Sequence, residues 1–99
     1  MLTIVQLNAI RSTLDKSDFV QRAWLFGSFA RNQESLDSDV DIMFEKIPGS
    51  KFGLIKLSTL IGQLENALGK RVDFIYRPSM IDEVAEDADK DKRIVYERK

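Results

Sequence analysis

The stretch that decides the fold runs from Trp24 to Glu45 and reads Trp-Leu-Phe-Gly-Ser-Phe-Ala-Arg-Asn-Gln-Glu-Ser-Leu-Asp-Ser-Asp-Val-Asp-Ile-Met-Phe-Glu. A first apolar run ends at Gly27, and a second one begins with two carboxylates, Asp39 and Asp41, built into it. Apolar residues alternate with these acids, which predicts a β-strand. On a strand, residues two apart project from the same face, about 6.6 Å apart. Two acids facing one way in an otherwise apolar strand predict a functional site.

The segments on either side of this stretch predict a sheet covered by helices. Strands are predicted over residues 19–26, 39–45 and 71–76, and helices over 3–16, 29–33, 52–68 and 79–88. Residues 94–96 fit either a last short strand or a docking tail. Helices that alternate with strands are typical of an α/β or α+β fold. The length of 99 residues predicts one domain, residues 1–99.

The ends of the helices carry recognisable capping residues. Thr3 and Gln6 fit a capping box, Ser28 and Ser79 are expected to cap the two short helices, and Gly69 is expected to end the long one. The positions expected to be buried in the long helix are Ile55, Leu57, Leu60, Ile61, Leu64 and Leu68, and in the last helix Met80, Ile81, Val84 and Ala85.

Composition excludes several classes of function. The chain has no cysteine and no histidine, which excludes disulfides, thiolate metal sites and histidine-activated nucleophiles. Any metal must therefore be held by oxygen, which favours Mg²⁺, Mn²⁺ or Ca²⁺. The net charge of −1 gives no overall footprint for binding nucleic acid. No apolar run approaches the roughly 18 residues of a membrane span, so we expect a cytoplasmic protein without a membrane segment.

The Gly27-Ser28 pair lies where the first strand gives way to a helix. Such a junction presents backbone N–H groups and the positive end of the helix dipole. That geometry binds phosphate, and a glycine lets the ligand approach the backbone closely. By itself, a Gly-Ser pair is more often only a turn.

The acids themselves allow a calcium-binding alternative. Asp37, Asp39 and Asp41 match the opening of an EF-hand loop, which requires glycine at the sixth position and glutamate at the twelfth. This sequence has Ile42 and Pro48 at those positions, which excludes that loop. An isolated pair of acids can also be a solvated strand edge.

Asp73 is the third candidate, because it interrupts the apolar run of the third strand. If the second and third strands are neighbours, it converges on Asp39 and Asp41. Three carboxylates within about 6 Å repel by roughly 3 kcal/mol per pair at an effective dielectric constant near 20. A fold tolerates this with protons or a cation present. The alternative is a structural ion pair between Asp73 and Arg71 or Arg77.

Taken together, these motifs resemble a known signature. Gly27-Ser28, followed after ten residues by Asp39 and Asp41 and some thirty residues later by Asp73, resembles the nucleotidyltransferase signature of the polymerase β superfamily. The sequences Gly-Ser-Phe-Ala-Arg and Ser-Asp-Val-Asp-Ile most resemble those of the minimal nucleotidyltransferases (MNT). Genes of that family commonly pair with genes for HEPN-domain proteins in toxin–antitoxin systems. The resemblance covers nearly the whole chain and implies a polymerase-β-type fold, with a small mixed sheet flanked by helices.

The resemblance assigns a role to each matching residue. It implies that Gly27 and Ser28 bind the β- and γ-phosphates of ATP and that Asp39 and Asp41 hold two Mg²⁺ ions, with Mn²⁺ as an alternative. Asp73 would bind the ion nearer the acceptor hydroxyl and help to deprotonate that hydroxyl. The three acids would thus be both metal ligands and catalytic residues.

Two neighbouring residues need separate comment. Arg31 is a candidate for nucleotide binding through the phosphates, and a surface arginine is an equal alternative. The family usually has glycine where this chain has Asn32, and asparagine is the residue that best replaces glycine in the left-handed conformation.

Two functions follow from the resemblance. The first is an Mg-dependent protein adenylyltransferase that transfers AMP from ATP to a hydroxyl, by family expectation a tyrosine, of a HEPN toxin, as the antitoxin of a type VII pair. The second is a non-catalytic, nucleotide-binding antitoxin that neutralises its toxin by binding alone. The three acids favour the enzyme, because masking does not require mutually repelling carboxylates. At 99 residues we expect a partner to supply the acceptor. A nucleic-acid substrate is a weaker third option.

Overall fold

The computed structural model of the protein describes residues 2–35 and 37–99. Within these ranges the chain forms four helices, four strands and one 3-10 turn. The elements in chain order are α1 (Ile4–Asp15), β1 (Val20–Phe26), α2 (Gly27–Ala30), β2 (Val40–Lys46), α3 (Leu54–Leu68), β3 (Val72–Tyr76), the 3-10 turn (Arg77–Ser79), α4 (Asp82–Asp91) and β4 (Arg93–Glu97).

The strands form a mixed sheet in the order β3-β2-β1-β4. Strand β1 is antiparallel to both β2 and β4, whereas β2 and β3 are parallel. This arrangement places the last residue of β1 and the first residues of the other three strands at the same end of the sheet, the end at which β2, β3 and β4 begin. The predicted mixed sheet is confirmed, and residues 94–96 belong to its last strand.

Alternation along β2 separates the core from the candidate site. Val40, Ile42 and Phe44 are fully buried in the main core, which α1 and α3 complete on one face of the sheet. Asp41 alternates with these residues and therefore projects from the opposite face. Helix α4 contacts β1 and α2, and its buried alanines, Ala85 and Ala88, lie outside the main core cluster.

The ends of the first and third helices follow the predicted capping chemistry. The Gln6 N–H donates to the Thr3 hydroxyl, and the Thr3 N–H donates to the Gln6 side chain, which is the predicted capping box. Gly69 ends α3 in the left-handed region at φ 66°. Beyond it, the Val72 N–H donates to the Glu65 carboxylate at 3.0 Å, which covers part of the outer edge of β3.

Both predictions of a capping serine are wrong. Helix α2 begins directly at Gly27, and no side chain caps it, because the positive φ of that residue turns the chain at once. Helix α4 begins at Asp82 after Ile81, and the Ser79 hydroxyl instead donates to the Tyr76 carbonyl within the 3-10 turn. The second helix therefore starts and ends earlier than predicted, and the fourth starts and ends later.

Some residues predicted to be buried are exposed. Ile55 is 83% exposed, because the first turn of α3 extends past the core. The buried positions of that helix are Leu60, Leu64 and Leu68. In the last helix the prediction fails for Ile81 and Val84, which are exposed, while Ala85 is buried as predicted. Met80, also predicted to be buried, is half-buried. Helix α4 is a short acidic helix, and it covers the sheet with small alanines.

Among the described helices, none is long and apolar enough to cross a membrane.

Candidate active site

Asp41 is the central residue of the candidate site. Its backbone is the register partner of Phe26 on β1 and of Asp73 on β3. Because neighbouring strands lie about 4.8 Å apart and register partners share a face, Asp41 and Asp73 are side by side. The predicted convergence of these two acids is therefore confirmed in the backbone register.

Asp39 lies just outside the strand on which it was predicted. Strand β2 begins at Val40, whose N–H donates to the Arg71 carbonyl at 2.9 Å. Asp39 precedes this first bond and is exposed. It nevertheless stands two residues before Asp41, at the same edge of the sheet.

No structural ion pair explains Asp73. Within the described ranges, no basic side chain lies within 4.0 Å of its carboxylate, and Arg77 pairs with Asp89 instead at 2.7 Å. Asp73 is exposed, whereas its neighbours Val72 and Phe74 are buried. The alternative of an Asp73 held by Arg71 or Arg77 is thus not what the structure shows.

Gly27 lies so close to Asp41 that any side chain at this position would have to displace the Asp41 carboxylate. Its φ of 72° lies in the left-handed region, which L-residues rarely adopt. A Cβ atom at this position would lie 3.2 Å from Asp41 Cγ and closer still to Oδ2. Both the backbone conformation and the approach of the carboxylate therefore favour glycine at this position.

Ser28 follows at the start of α2, where the first N–H groups of a helix lack intrahelical partners. Its side chain is half-buried, and in the described part of the chain its hydroxyl makes no hydrogen bond. The backbone amides and this hydroxyl form a cradle beside Asp41. We use the term phosphate cradle for Gly27 and Ser28.

Arg31 and Asn32 end the short helix. Asn32 has a φ of 56°, so it adopts the left-handed conformation, which asparagine tolerates better than other non-glycine residues. The Nε atom of Arg31 donates to Gln33 Oε1 at 3.1 Å, and its Nη1 atom donates to Asp91 Oδ2 at 3.2 Å. Arg31 is therefore not a free surface arginine but is tied to α4.

The electrostatics of the site centre on Asp41. Its pKa is raised from 3.8 to about 6. Burial is the largest cause, the charges of Asp73 and then Asp39 add to it, and the charge of Arg31 acts in the opposite direction. The mutual repulsion predicted for the three acids is thus present, and it bears on the most buried of them.

The donor chemistry of the site fits a hard divalent cation. All three side chains offer carboxylate oxygens, and a cation would relieve the repulsion that raises the pKa of Asp41. Within residues 2–35 and 37–99, however, no three acidic side chains already form a metal-ligand cluster. The acids are gathered at one edge of the sheet without being closed around a common point.

Sequence reasoning missed the partners of Arg31. Asp91 is 60 positions away along the chain, and the charged segment in which it lies carried no period that predicted a helix. Gln33 was assigned to the end of a helix, whereas it follows that helix and orients the guanidinium. No local spacing links either residue to the cradle.

The fold and this site together define a class of protein. Residues 8–99 match the family model described as polymerase beta, nucleotidyltransferase, and the chain belongs to this family of nucleotidyltransferases.

Sequence comparison with individual proteins of this family gives two similar relatives. The chain is 36% identical over 86 residues to the protein adenylyltransferase MntA of Thermococcus cleftensis, which covers 81% of this chain and 83% of that protein. A second match, 45% identical over 56 residues, is to a protein of Methanocaldococcus jannaschii; it covers 57% of this chain and only 58% of that relative. The predicted family and enzyme class are confirmed.

One solved complex has the same fold. It contains a tri-AMPylated HEPN toxin of Shewanella oneidensis together with an MNT antitoxin. The match has a TM-score of 0.70 at 20% identity and covers 94% of this chain and 71% of that one. The polymerase-β-type fold is thereby confirmed for this chain.

Proposed function

We propose that this protein is an antitoxin of a type VII toxin–antitoxin pair that transfers AMP from ATP to a hydroxyl of a HEPN-domain toxin. The acceptor we propose is a tyrosine hydroxyl, and the modification silences the toxin. The transfer depends on Mg²⁺.

The observation that carries the proposal is the pairing of Asp41 with Asp73 beside the phosphate cradle. Two carboxylates that are register partners repel each other, and the charge of Asp73 contributes to the raised pKa of Asp41. The fold keeps this unfavourable arrangement next to a glycine at which a larger residue would displace the Asp41 carboxylate. A surface that only masked a toxin would not need it.

In this reaction each site residue has a separate role. Gly27 and Ser28 bind the β- and γ-phosphates through backbone amides and the Ser28 hydroxyl, which fixes the α-phosphorus relative to β2. Asp73 accepts a hydrogen bond from the acceptor hydroxyl and takes its proton as the oxygen attacks. The new bond joins that oxygen to the α-phosphorus, the bond to the α–β bridging oxygen breaks, and pyrophosphate leaves.

Asp39, Asp41 and Asp73 would hold the Mg²⁺ ions. When bound, such ions polarise the α-phosphate and stabilise the charge on the leaving pyrophosphate. Mn²⁺ offers the same charge and oxygen preference as an alternative. The side chain of Arg31 would add a positive charge for the phosphates.

The relatives support the choice of acceptor. A relative that this chain matches over most of its length is named a protein adenylyltransferase. The solved complex of the same fold pairs an AMPylated HEPN toxin with an MNT antitoxin. Both support a protein as acceptor rather than a small molecule or a nucleic acid.

Intact-mass spectrometry of the HEPN partner tests the proposal. A HEPN-domain partner is incubated with ATP, Mg²⁺ and the protein, and each transfer adds the mass of one AMP. Asp41→Asn should abolish the added mass, and Asp73→Asn should reduce it. A partner that stays unmodified but is neutralised equally well by the Asp39→Asn/Asp41→Asn double variant would establish masking instead.

A further inference from the structure

Arg31 links the phosphate cradle to the end of α4. Its backbone N–H donates to the Gly27 carbonyl at 3.2 Å, and its guanidinium forms an ion pair with Asp91 at 3.2 Å. Asp91 is the last residue of α4 and contributes nothing else to the site. Arg31 thus links α4, near the C-terminus, to the residues of the proposed nucleotide site.

We propose that Asp91 is a positioning residue that holds the Arg31 guanidinium toward the nucleotide phosphates. This inference rests on the proposed function, because it assumes that the cradle binds a nucleotide. It adds a residue on α4 to a site whose other members lie on β2, β3 and the β1–α2 junction.

The two hydrogen bonds of the Arg31 side chain leave other guanidinium N–H groups available to a ligand. Gln33 accepts from Nε at 3.1 Å, and Asp91 accepts from Nη1 at 3.2 Å. In the described residues, no hydrogen bond engages Nη2. An arginine side chain has many rotamers, and two fixed contacts remove most of that freedom before a phosphate arrives. The remaining N–H groups can then bind phosphate oxygens without further ordering.

The position of Asp91 is unfavourable for the helix that carries it. A carboxylate in the last turn of a helix lies at the negative end of the helix dipole, where a cation is preferred. The Arg31 guanidinium supplies the missing positive charge from another element. Asp89 on the same turn is compensated in the same way by Arg77, so what distinguishes Asp91 is that its arginine follows the phosphate cradle.

Asp89 provides a matched control on the same turn of α4. It forms a bidentate pair with Arg77 at 2.7 and 3.3 Å, so both acids anchor α4 through an arginine. Arg77 follows β3 at the end of the sheet opposite the cradle. If ion pairs only fasten the helix, removing either acid should have the same consequence.

The test measures binding of a non-hydrolysable ATP analogue with Mg²⁺ by calorimetry. Arg31→Gln should weaken binding by about tenfold, and Asp91→Asn should have a similar effect, because the guanidinium loses its orientation. Asp89→Asn should bind like wild type. Asp91→Glu, which keeps the charge, should restore most of the affinity. In the Arg31→Gln background, Asp91→Asn should have no additional effect, because it acts through that arginine.

Two further readouts separate positioning from mere support. In steady-state transfer, Asp91→Asn should raise the KM for ATP more than it lowers kcat. The Arg31 Nε–H resonance, held by Gln33 in wild type, should broaden in Asp91→Asn and stay sharp in Asp89→Asn. The melting temperatures of both variants should remain close to that of wild type, since both ion pairs are partly exposed.

The outcomes distinguish this inference from the proposed function. Wild-type affinity in Asp91→Asn would overturn the positioning role while leaving adenylylation intact. Tighter binding in that variant would also overturn it, and would show that Asp91 restrains Arg31. Nucleotide binding that follows the expected order without any AMP reaching the partner would refute the proposed function alone. A wild-type protein that binds no nucleotide would refute both.

Discussion

Asp41 and Asp73 are register partners in the parallel pair of strands β2 and β3. In most sheets such a position carries two apolar or oppositely charged residues, since like charges opposite each other are destabilising. Here the like charges are retained, and the pKa of Asp41 rises to about 6 as a result of burial and of its acidic neighbours. The strand pair is therefore less stable than its backbone would allow, and the cost is concentrated at the site.

The first prediction concerns the loss of stability caused by the buried charge of Asp41. Because folding raises the pKa of Asp41 from 3.8 to about 6, the folded state loses stability as the pH rises through that window. Asp41→Asn should therefore unfold at higher urea than wild type at neutral pH without divalent cations. Two pKa units correspond to about 3 kcal/mol, which screening of a half-exposed carboxylate reduces to about 1–2 kcal/mol.

Urea titrations at about pH 3 and pH 7 check this expectation, since the gain should vanish at the acidic end. Asp87→Asn, at a residue whose side chain is 83% exposed, is the control and should change stability little at either pH. An Asp41→Asn variant that is less stable than wild type at pH 7 would contradict the electrostatic account.

The second prediction compares two glycines with positive φ. Gly27 and Gly49 have φ values of 72° and 82°, but a Cβ at Gly49 would meet nothing within 4 Å. Gly49→Ala should cost about 1 kcal/mol of conformational strain, and Gly27→Ala about 1 kcal/mol more, because it also displaces the Asp41 carboxylate. Urea unfolding measures both.

Nucleotide affinity separates the same two variants. Gly27→Ala should lose binding of the ATP analogue, whereas Gly49→Ala should retain it. Equal affinities in the two alanine variants would mean that the phosphates do not approach Gly27.

The third prediction concerns linkage between cation, nucleotide and fold. Saturation with Mg²⁺ and a non-hydrolysable ATP analogue at about one hundred times Kd should stabilise the wild type by about 2.7 kcal/mol. The Asp39→Asn/Asp41→Asn double variant should show no such rise in Tm. A double variant whose Tm still responds like that of wild type would place the cation elsewhere.

The fourth prediction concerns the turn after Arg31. Asn32 holds a φ of 56°, so Asn32→Gly should change stability by only a few tenths of a kcal/mol, whereas Asn32→Ala should lose about 1 kcal/mol. The glycine variant should also keep wild-type nucleotide affinity. If the alanine variant proves as stable as wild type, the left-handed turn is not maintained in solution.

The sequence predicted most of this site because its members sit on strands with clear alternation. Asp41 and Asp73 could be placed on one face from the period of two, and Gly27 from the end of an apolar run. Their pairing in register also required β2 and β3 to be neighbours, which spacing alone suggests but does not establish. The parallel crossover through α3 supplies that neighbour relation.

The parts that could not be predicted depend on contacts distant in sequence. The bond between Arg31 and Asp91 joins segments 60 positions apart, and α4 itself has few apolar residues to give it a period. The exposure of Ile55 was missed for a similar reason, because helical spacing identifies a face but not how far the helix extends past the core. The start of α2 was misplaced because Gly27 replaces a side-chain cap.

The position of β3 determines how another protein can reach the site. Asp73 stands on the outermost strand, so in the described structure its side of the site opens laterally and is not enclosed by a further strand. The Glu65 carboxylate occupies the Val72 N–H at that margin, which discourages an incoming chain from extending the sheet. A main chain approaching from this side finds that N–H already occupied, while the Asp73 side chain remains exposed to an incoming side chain.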